Sequence, residues 1–216
     1  LEIPVTGGNV SLYNQTGSGA ILPTPTIGVL GVIDDVATAV GSRFQHPGDA
    51  ILLLGHTRAE LSGSVWADAL HGGHLGGMPP QVVLADEKRL AKVIGAATAE
   101  GLLSSAHDLS DGGLASGLVE SALHGDLGFA VTLPDAADVT TALFSESAGR
   151  AVVSLSGSDL ARFEQICAEH QLPFTRLGEV TDDDHCEFVG VLRTELDDVR
   201  EAWRRPIRAA VEANGL

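Results

Sequence analysis

Three short segments hold the residues whose types and spacing suit chemistry. The first is Gly7-Gly8-Asn9-Val10-Ser11-Leu12-Tyr13-Asn14. Paired glycines let backbone N–H groups approach an anion with no Cβ in the way. The Asn9 amide oxygen is a hard ligand of the kind Mg²⁺ accepts beside waters and phosphates. With Val10 extended, Asn9 and Ser11 project to one face, so amide and hydroxyl address one ligand together. The same residues also make an ordinary polar turn, and spacing alone leaves both readings open.

The second segment is His107-Asp108-Leu109-Ser110-Asp111-Gly112-Gly113-Leu114. A strand ending in Asp, then a glycine pair opening a helix, sets carboxylates and helix N–H groups at an edge where α/β proteins bind ligands. Asp111 reads first as the N-cap of that helix. Asp108 reads as a metal-facing or a structural carboxylate, and His107 as a packed or solvent-facing side chain. The third segment, residues 144–150, sets Glu146 and Arg150 four apart among small residues. That spacing fits a clamp on a polar ligand, or a turn with a surface ion pair worth well under about 1 kcal/mol.

Other candidates fall away. His71-Gly72-Gly73-His74 lacks the remaining ligands of a zinc site, and Asp182-Asp183-Asp184 reads as a solvated turn. No P-loop motif and no GxSxG nucleophile motif occurs. The 216 residues hold 29 acidic against 13 basic side chains, a net charge of −16, which argues against a nucleic-acid partner. Two cysteines cannot make a disulfide framework. The longest apolar run, residues 50–54, is far short of the roughly 20 that span a bilayer, so no membrane partner is expected. With 44% hydrophobic residues the chain is folded rather than disordered, and its composition suits an α/β or α+β protein.

The elements that must position these residues divide at 36/37. Residues 1–36 read as a loop, an extended stretch in which Pro23 and Pro25 exclude a helix, and an apolar strand over 27–33 closed by Asp34-Asp35. Its sheet partners are expected to lie outside this sequence. From residue 37 strand and helix alternate. A buried strand at 51–54 precedes a helix over 60–70 and a flexible glycine-rich run at 72–77. Asp86 caps a long helix whose Leu90, Val93, Ile94 and Ala97 follow helical spacing, with Gly101 near its end. A strand at 107–109 leads to a helix ending near Leu123. Strands at 129–133 and 151–155 flank a short helix. Asp159 caps a helix with Leu160, Phe163, Ile166 and Cys167 inward. A strand covers 186–192, and a final helix from about Glu195 carries Leu196, Val199 and Trp203 on one face, with a kink or break at Pro206. Residues 37–216 form one layered sheet-plus-helix domain.

PVTGGNVSLYN followed by AILPTPTIGVLGVIDD, then HDLSDGGLA and FSESAGRAVVSL, resemble in that order the synthetase-subunit family of phosphoribosylformylglycinamidine synthase. The resemblance spans essentially the whole chain. GNVSLYN with the downstream PTP is its specific part. DLSDGGL alone marks only the wider superfamily shared with aminoimidazole ribonucleotide synthetase and selenophosphate synthetase.

The resemblance implies a fold and a reaction. The fold is an aminoimidazole ribonucleotide synthetase-like C-terminal α/β domain at 37–216, preceded at 1–36 by the tail of a second N-terminal sheet domain. The reaction is an ATP-dependent carbon–nitrogen ligation of purine biosynthesis: formylglycinamide ribonucleotide reacts with glutamine-derived ammonia to give the amidine. It further implies Mg²⁺, a glutaminase subunit, a small accessory subunit and a cytoplasmic location. Residue by residue, Gly8 resembles an ATP contact, Asn9 a Mg²⁺ ligand and Ser11 a substrate contact. The family's catalytic histidine belongs to a first half absent here, so no catalytic residue is assigned, and Asp108 and Glu146 stay without a role. Leu rather than Met at position 1 points to a processed chain or an excised piece, and the fragment is expected to be inactive alone. The alternatives are another ATP-dependent enzyme of the superfamily, or a non-catalytic assembly module.

Overall fold

The computed structural model describes residues 1–11, 13–22, 24–72, 76–134 and 138–213. The chain separates into two compact units, Leu1–Ala37 and Thr38–Leu216.

The first unit is mostly irregular. Strands β1 (Gln15–Thr16) and β2 (Gly19–Ala20) pair antiparallel as a small hairpin. The Ile21 amide donates to the Asn14 carbonyl at 3.0 Å and closes its base. The strand expected over 27–33 does not form. A strand needs a neighbour to take its backbone groups, and among the described residues none pairs with this stretch. Ile27, Val29, Leu30 and Val32 are all exposed. A 3-10 turn at Val36–Thr38 follows, with the Ala37 amide donating to Asp35 Oδ1 at 2.9 Å.

The second unit is a seven-stranded sheet with helices on both faces. Its strands are β3 (Ala50–Leu54), β4 (Ser105–Asp108), β5 (Gly128–Val131), β6 (Ala151–Leu155), β7 (Phe174–Thr181), β8 (His185–Phe188) and β9 (Leu192–Glu195). Their order across the sheet is β4-β6-β3-β7-β5-β8-β9, antiparallel throughout except for the parallel pair β5–β8. The helices are α1 (Val65–His71), α2 (Leu84–Ala99), α3 (Gly113–Gly125), α4 (Val139–Phe144), α5 (Leu160–Glu169) and α6 (Leu196–Ala213).

Strand β3 sits near the centre with all five residues buried. Successive side chains alternate between faces. Ile51 and Leu53 therefore join one core layer with Leu114, Leu118 and Ala122 of α3, Leu143 of α4 and Leu196 of α6. Ala50, Leu52 and Leu54 join the other, with Val93 and Ala97 of α2 and Phe163, Ile166 and Cys167 of α5. Because both faces are covered, the strand reads as an unbroken apolar run rather than an alternating one. Cys167 and Cys186 are free and buried, and burial pushes both thiols up to about 11, so they act as small apolar fillers.

Several boundaries differ from those expected. Helix α1 starts at Val65, not Glu60, because Ser64 supplies the N-cap: its Oγ accepts from the Ala67 amide at 3.1 Å. Helix α2 begins at Leu84, two residues before Asp86, with Val83 at the cap position. Asp159 occupies the N-cap position of α5 but makes no side-chain cap bond. The segment 186–192 splits into β8 and β9 at a turn where Gly190 has φ +76°. Strand β7 was not expected. Its polar Thr175, Arg176 and Glu179 break the apolar alternation, and its register shifts between Ile51 and Leu52 of β3. Helix α6 runs through Pro206 without a break. Of the glycine-rich run expected at 72–77, residues 73–75 lie outside the described residues. No helix among the described residues is long and apolar enough to cross a membrane.

The double coverage of β3 yields a test. Leu52 is fully buried, so Leu52→Ala should cost about 2–5 kcal/mol in urea-monitored unfolding, with the slope of the transition unchanged.

Candidate functional site

The amino-terminal residues stand in exposed, irregular backbone. Gly8, Asn9 and Ser11 are all exposed, and the Ser11 hydroxyl donates to the Tyr13 carbonyl at 2.9 Å, a local turn bond. A Cβ built on Gly7 or Gly8 would meet nothing within 4 Å. No packing inside this unit demands glycine there, so what glycine offers is open approach to the backbone amides.

The glycine pair after β4 has a different physical basis. Gly112 and Gly113 adopt φ +75° and +63°, in the left-handed region that disfavours side chains. A Cβ on Gly113 would also run into the Ser145 carbonyl oxygen. Gly112, not Asp111, is the N-cap residue of α3, and Asp111 is exposed. The anion at this helix start is supplied from within. Glu146 Oε1 accepts from the Gly112 amide at 2.8 Å and from the Val65 amide at 2.9 Å, so one carboxylate oxygen serves the starts of both α3 and α1. A negative charge there also suits the positive ends of the helix dipoles.

Arg150 is 2% exposed and makes no surface ion pair with Glu146. Its guanidinium donates to the Ser147 carbonyl at 2.9 Å, the Ser145 carbonyl at 2.5 Å and Thr57 Oγ1 at 3.0 Å. Burial pulls it down to about 10, against the opposing charge of Glu60, so it stays charged at neutral pH. The serine hydroxyls fasten the neighbouring loop. Ser145 Oγ donates to the Arg58 carbonyl at 2.7 Å, and Ser147 Oγ accepts from the Arg58 amide at 3.0 Å. Arg58 in turn pairs at 3.1 Å with Asp86, which also holds Arg89 at 2.7 Å.

Glu60 completes this junction by accepting from the Gln81 amide at 2.8 Å. Burial works to raise its carboxyl, but the Ser147 hydroxyl, the Gln81 amide and the charges of Arg58 and Arg150 outweigh it and hold the group below the usual glutamate range. Sequence spacing singled out Glu146 and Arg150 but not Glu60, Thr57 or the two serines. The small residues packed around Glu146 were the available signal.

His107 is tied at both ring nitrogens, to the Asp108 carbonyl at 2.7 Å and to Glu120 at 3.1 Å. Asp108 itself is exposed. Among the described residues no group of three His, Cys, Asp or Glu side chains is placed to hold a metal ion.

Residues 46–191 match the family model described as AIR synthase related protein, C-terminal domain. The phosphoribosylformylglycinamidine synthase subunit PurL of Cutibacterium acnes is 54% identical over 211 residues, covering 98% of this chain and 28% of that protein. Its counterpart from Streptomyces coelicolor is 52% identical over 207 residues, covering 96% and 27%. The chain therefore spans under a third of the length of these relatives. Among solved structures, T. maritima PurL complexed with FGAR superposes with a TM-score of 0.62 at 22% identity, over 75% of this chain and 29% of that one. T. maritima PurL complexed with ATP gives 0.59 at 23%, over 75% and 27%. At such identity the likeness is one of fold.

Two outcomes follow from the junction. Glu146→Ala leaves two helix-start amides without their acceptor and should destabilise the second unit by about 1–3 kcal/mol, read as a lowered urea midpoint. For Glu60, a folded carboxyl held below its ordinary range adds stability at neutral pH that disappears as pH falls through that range. The stability gap between the parent chain and Glu60→Gln should therefore be present at pH 7 and close in acid. A gap constant with pH would remove the ionised carboxylate from the account.

Proposed function

The chain belongs to the AIR synthase related protein, C-terminal domain, family, and on that premise we propose that it is the carboxyl-terminal portion of a phosphoribosylformylglycinamidine synthase synthetase subunit. The observation that carries this reading is the 54% identity over 98% of the chain, which takes in the amino-terminal unit as well as the family domain. In this reading residues 1–36 are the tail of a second N-terminal sheet domain and residues 37–216 the second C-terminal domain. The whole protein would be a carbon–nitrogen ligase, using ATP and glutamine-derived ammonia to convert formylglycinamide ribonucleotide to its amidine in the cytoplasm. A glutaminase subunit and a small accessory subunit would be its partners; one solved structural relative is the complex PurLQS from Thermotoga maritima.

The exposed backbone at 7–11 suits one wall of the nucleotide pocket. Gly8 would present its amide to ATP, Asn9 its side-chain oxygen to Mg²⁺, and Ser11 its hydroxyl to the ribonucleotide. A single amide oxygen does not make a magnesium site, since Mg²⁺ takes six oxygens. The remaining ligands would come from phosphates, waters and the rest of the longer protein. The second unit would act as scaffold, because its glycine loop already holds the Glu146 carboxylate.

Two measurements test this. The 216-residue chain given substrate, Mg·ATP and ammonia should show no turnover above background. In the longer protein, Asn9→Ala should lower kcat/KM by about tenfold or more, the loss of a contact to a charged group, and the deficit should shrink at high Mg²⁺. Unchanged kinetics would remove Asn9 from the site.

A further inference from the structure

Between the carboxyl end of β3 and α4 lies a cavity of ≈ 200 Å³ that shares Thr57 with the Arg150 junction. Its apolar lining is Leu53, Pro134 and Ala142, and its polar lining His56, Thr57 and Thr175. We propose that this cavity binds a small oxyanion, of phosphate or carboxylate size, through His56, Thr57 and Thr175.

Four observations support it. First, among the described lining residues every polar side chain is able to donate a hydrogen bond, and none is a carboxylate. Such a lining sets no carboxylate against an anion, in a chain with 29 acidic residues and a net charge of −16.

Second, Thr57 is oriented by its neighbour. Arg150 Nη1 donates to Thr57 Oγ1 at 3.0 Å, which uses one acceptor lone pair and turns the hydroxyl proton away from the guanidinium. Among the described residues no acceptor for that proton is found within hydrogen-bonding geometry. A buried cation thus stands directly behind a free O–H donor, and the arrangement suits a negatively charged guest.

Third, the fit is selective by size. A volume of ≈ 200 Å³ lies below the roughly 300–1,000 Å³ of pockets that enclose drug-sized ligands. It holds an oxyanion and a short substituent against Leu53, Pro134 and Ala142, but not a nucleotide. Fourth, His56 and Thr175 are exposed while Thr57 is half-buried, so the donors grade from mouth to interior and the cavity has an open entry.

This inference does not depend on the ligase reading, since it concerns only the second unit. Inorganic phosphate and, separately, acetate would be titrated into the ¹⁵N-labelled 216-residue chain at constant ionic strength. Saturable amide shifts confined to residues 53–57, 142 and 175 are expected. The anion that saturates at lower concentration identifies the class as phosphate or carboxylate. His56→Ala and Thr175→Val alter exposed side chains and should leave the spectrum folded. Each should weaken the saturable binding about tenfold, the loss of one hydrogen bond to a charged group. Linear shifts spread over the surface would overturn the proposal. So would saturable shifts centred on Ser110 to Gly113 with residues 53–57 unmoved, or equal affinity in the His56→Ala chain.

Discussion

A buried guanidinium must find acceptors for its donors or forfeit the free energy of desolvation, and Arg150 imposes that requirement on one whole end of the second unit. The chain meets it by curling residues 145–147 back so that two carbonyls face the side chain, and by bringing Thr57 across from the end of β3. Once that turn is fixed, Glu146 can only project toward the starts of α1 and α3, and its carboxylate takes an amide from each. The serines on either side bind Arg58, and Arg58 reaches α2 through Asp86. Three helices are thus anchored through a six-residue loop.

That arrangement changes the meaning of a familiar pattern. A glycine pair at the start of a helix is commonly read as a cradle for phosphate. Here the glycines have left-handed backbone and press against the Ser145 carbonyl, and the amide that would greet a phosphate already holds a carboxylate. The physics of anion binding is unchanged, but the anion belongs to the protein. The loop of the first unit is the opposite case: a Cβ on Gly7 or Gly8 would meet nothing within 4 Å. The two glycine-rich segments look alike in sequence and differ in whether their glycines are packed.

Electrostatics reinforces the contrast. A chain of net charge −16 can attract anions only where carboxylates are absent or already matched by cations. The cavity at the end of β3 meets that condition because Arg150 lies behind its wall and none of its described lining residues is a carboxylate. The junction built around a structural arginine therefore leaves a donor-lined hollow on its far side.

Composition, apolar spacing and turn residues determined a good deal unaided. The central strand, the inward faces of α2 and α5, the order of strand, glycine pair and helix over about 107–123 and the layered α/β class are all legible, because each rests on contacts a few residues apart. The family likeness is legible too, in the ordered motifs GNVSLYN, DLSDGGL and FSESAGR. Only the tertiary structure decided the rest. Strand β7 carries polar residues on a period that hides it until β3 and β5 flank it. The stretch 27–33 has strand composition but no neighbour, so it forms no ladder. Asp111 looked like the group that would serve the helix start, but Glu146 supplies the acceptor there, because the donor at Gly112 and its acceptor lie 34 positions apart. Local spacing specifies which groups need a partner; folding over long separations decides which group satisfies it, since burial leaves no water to do so.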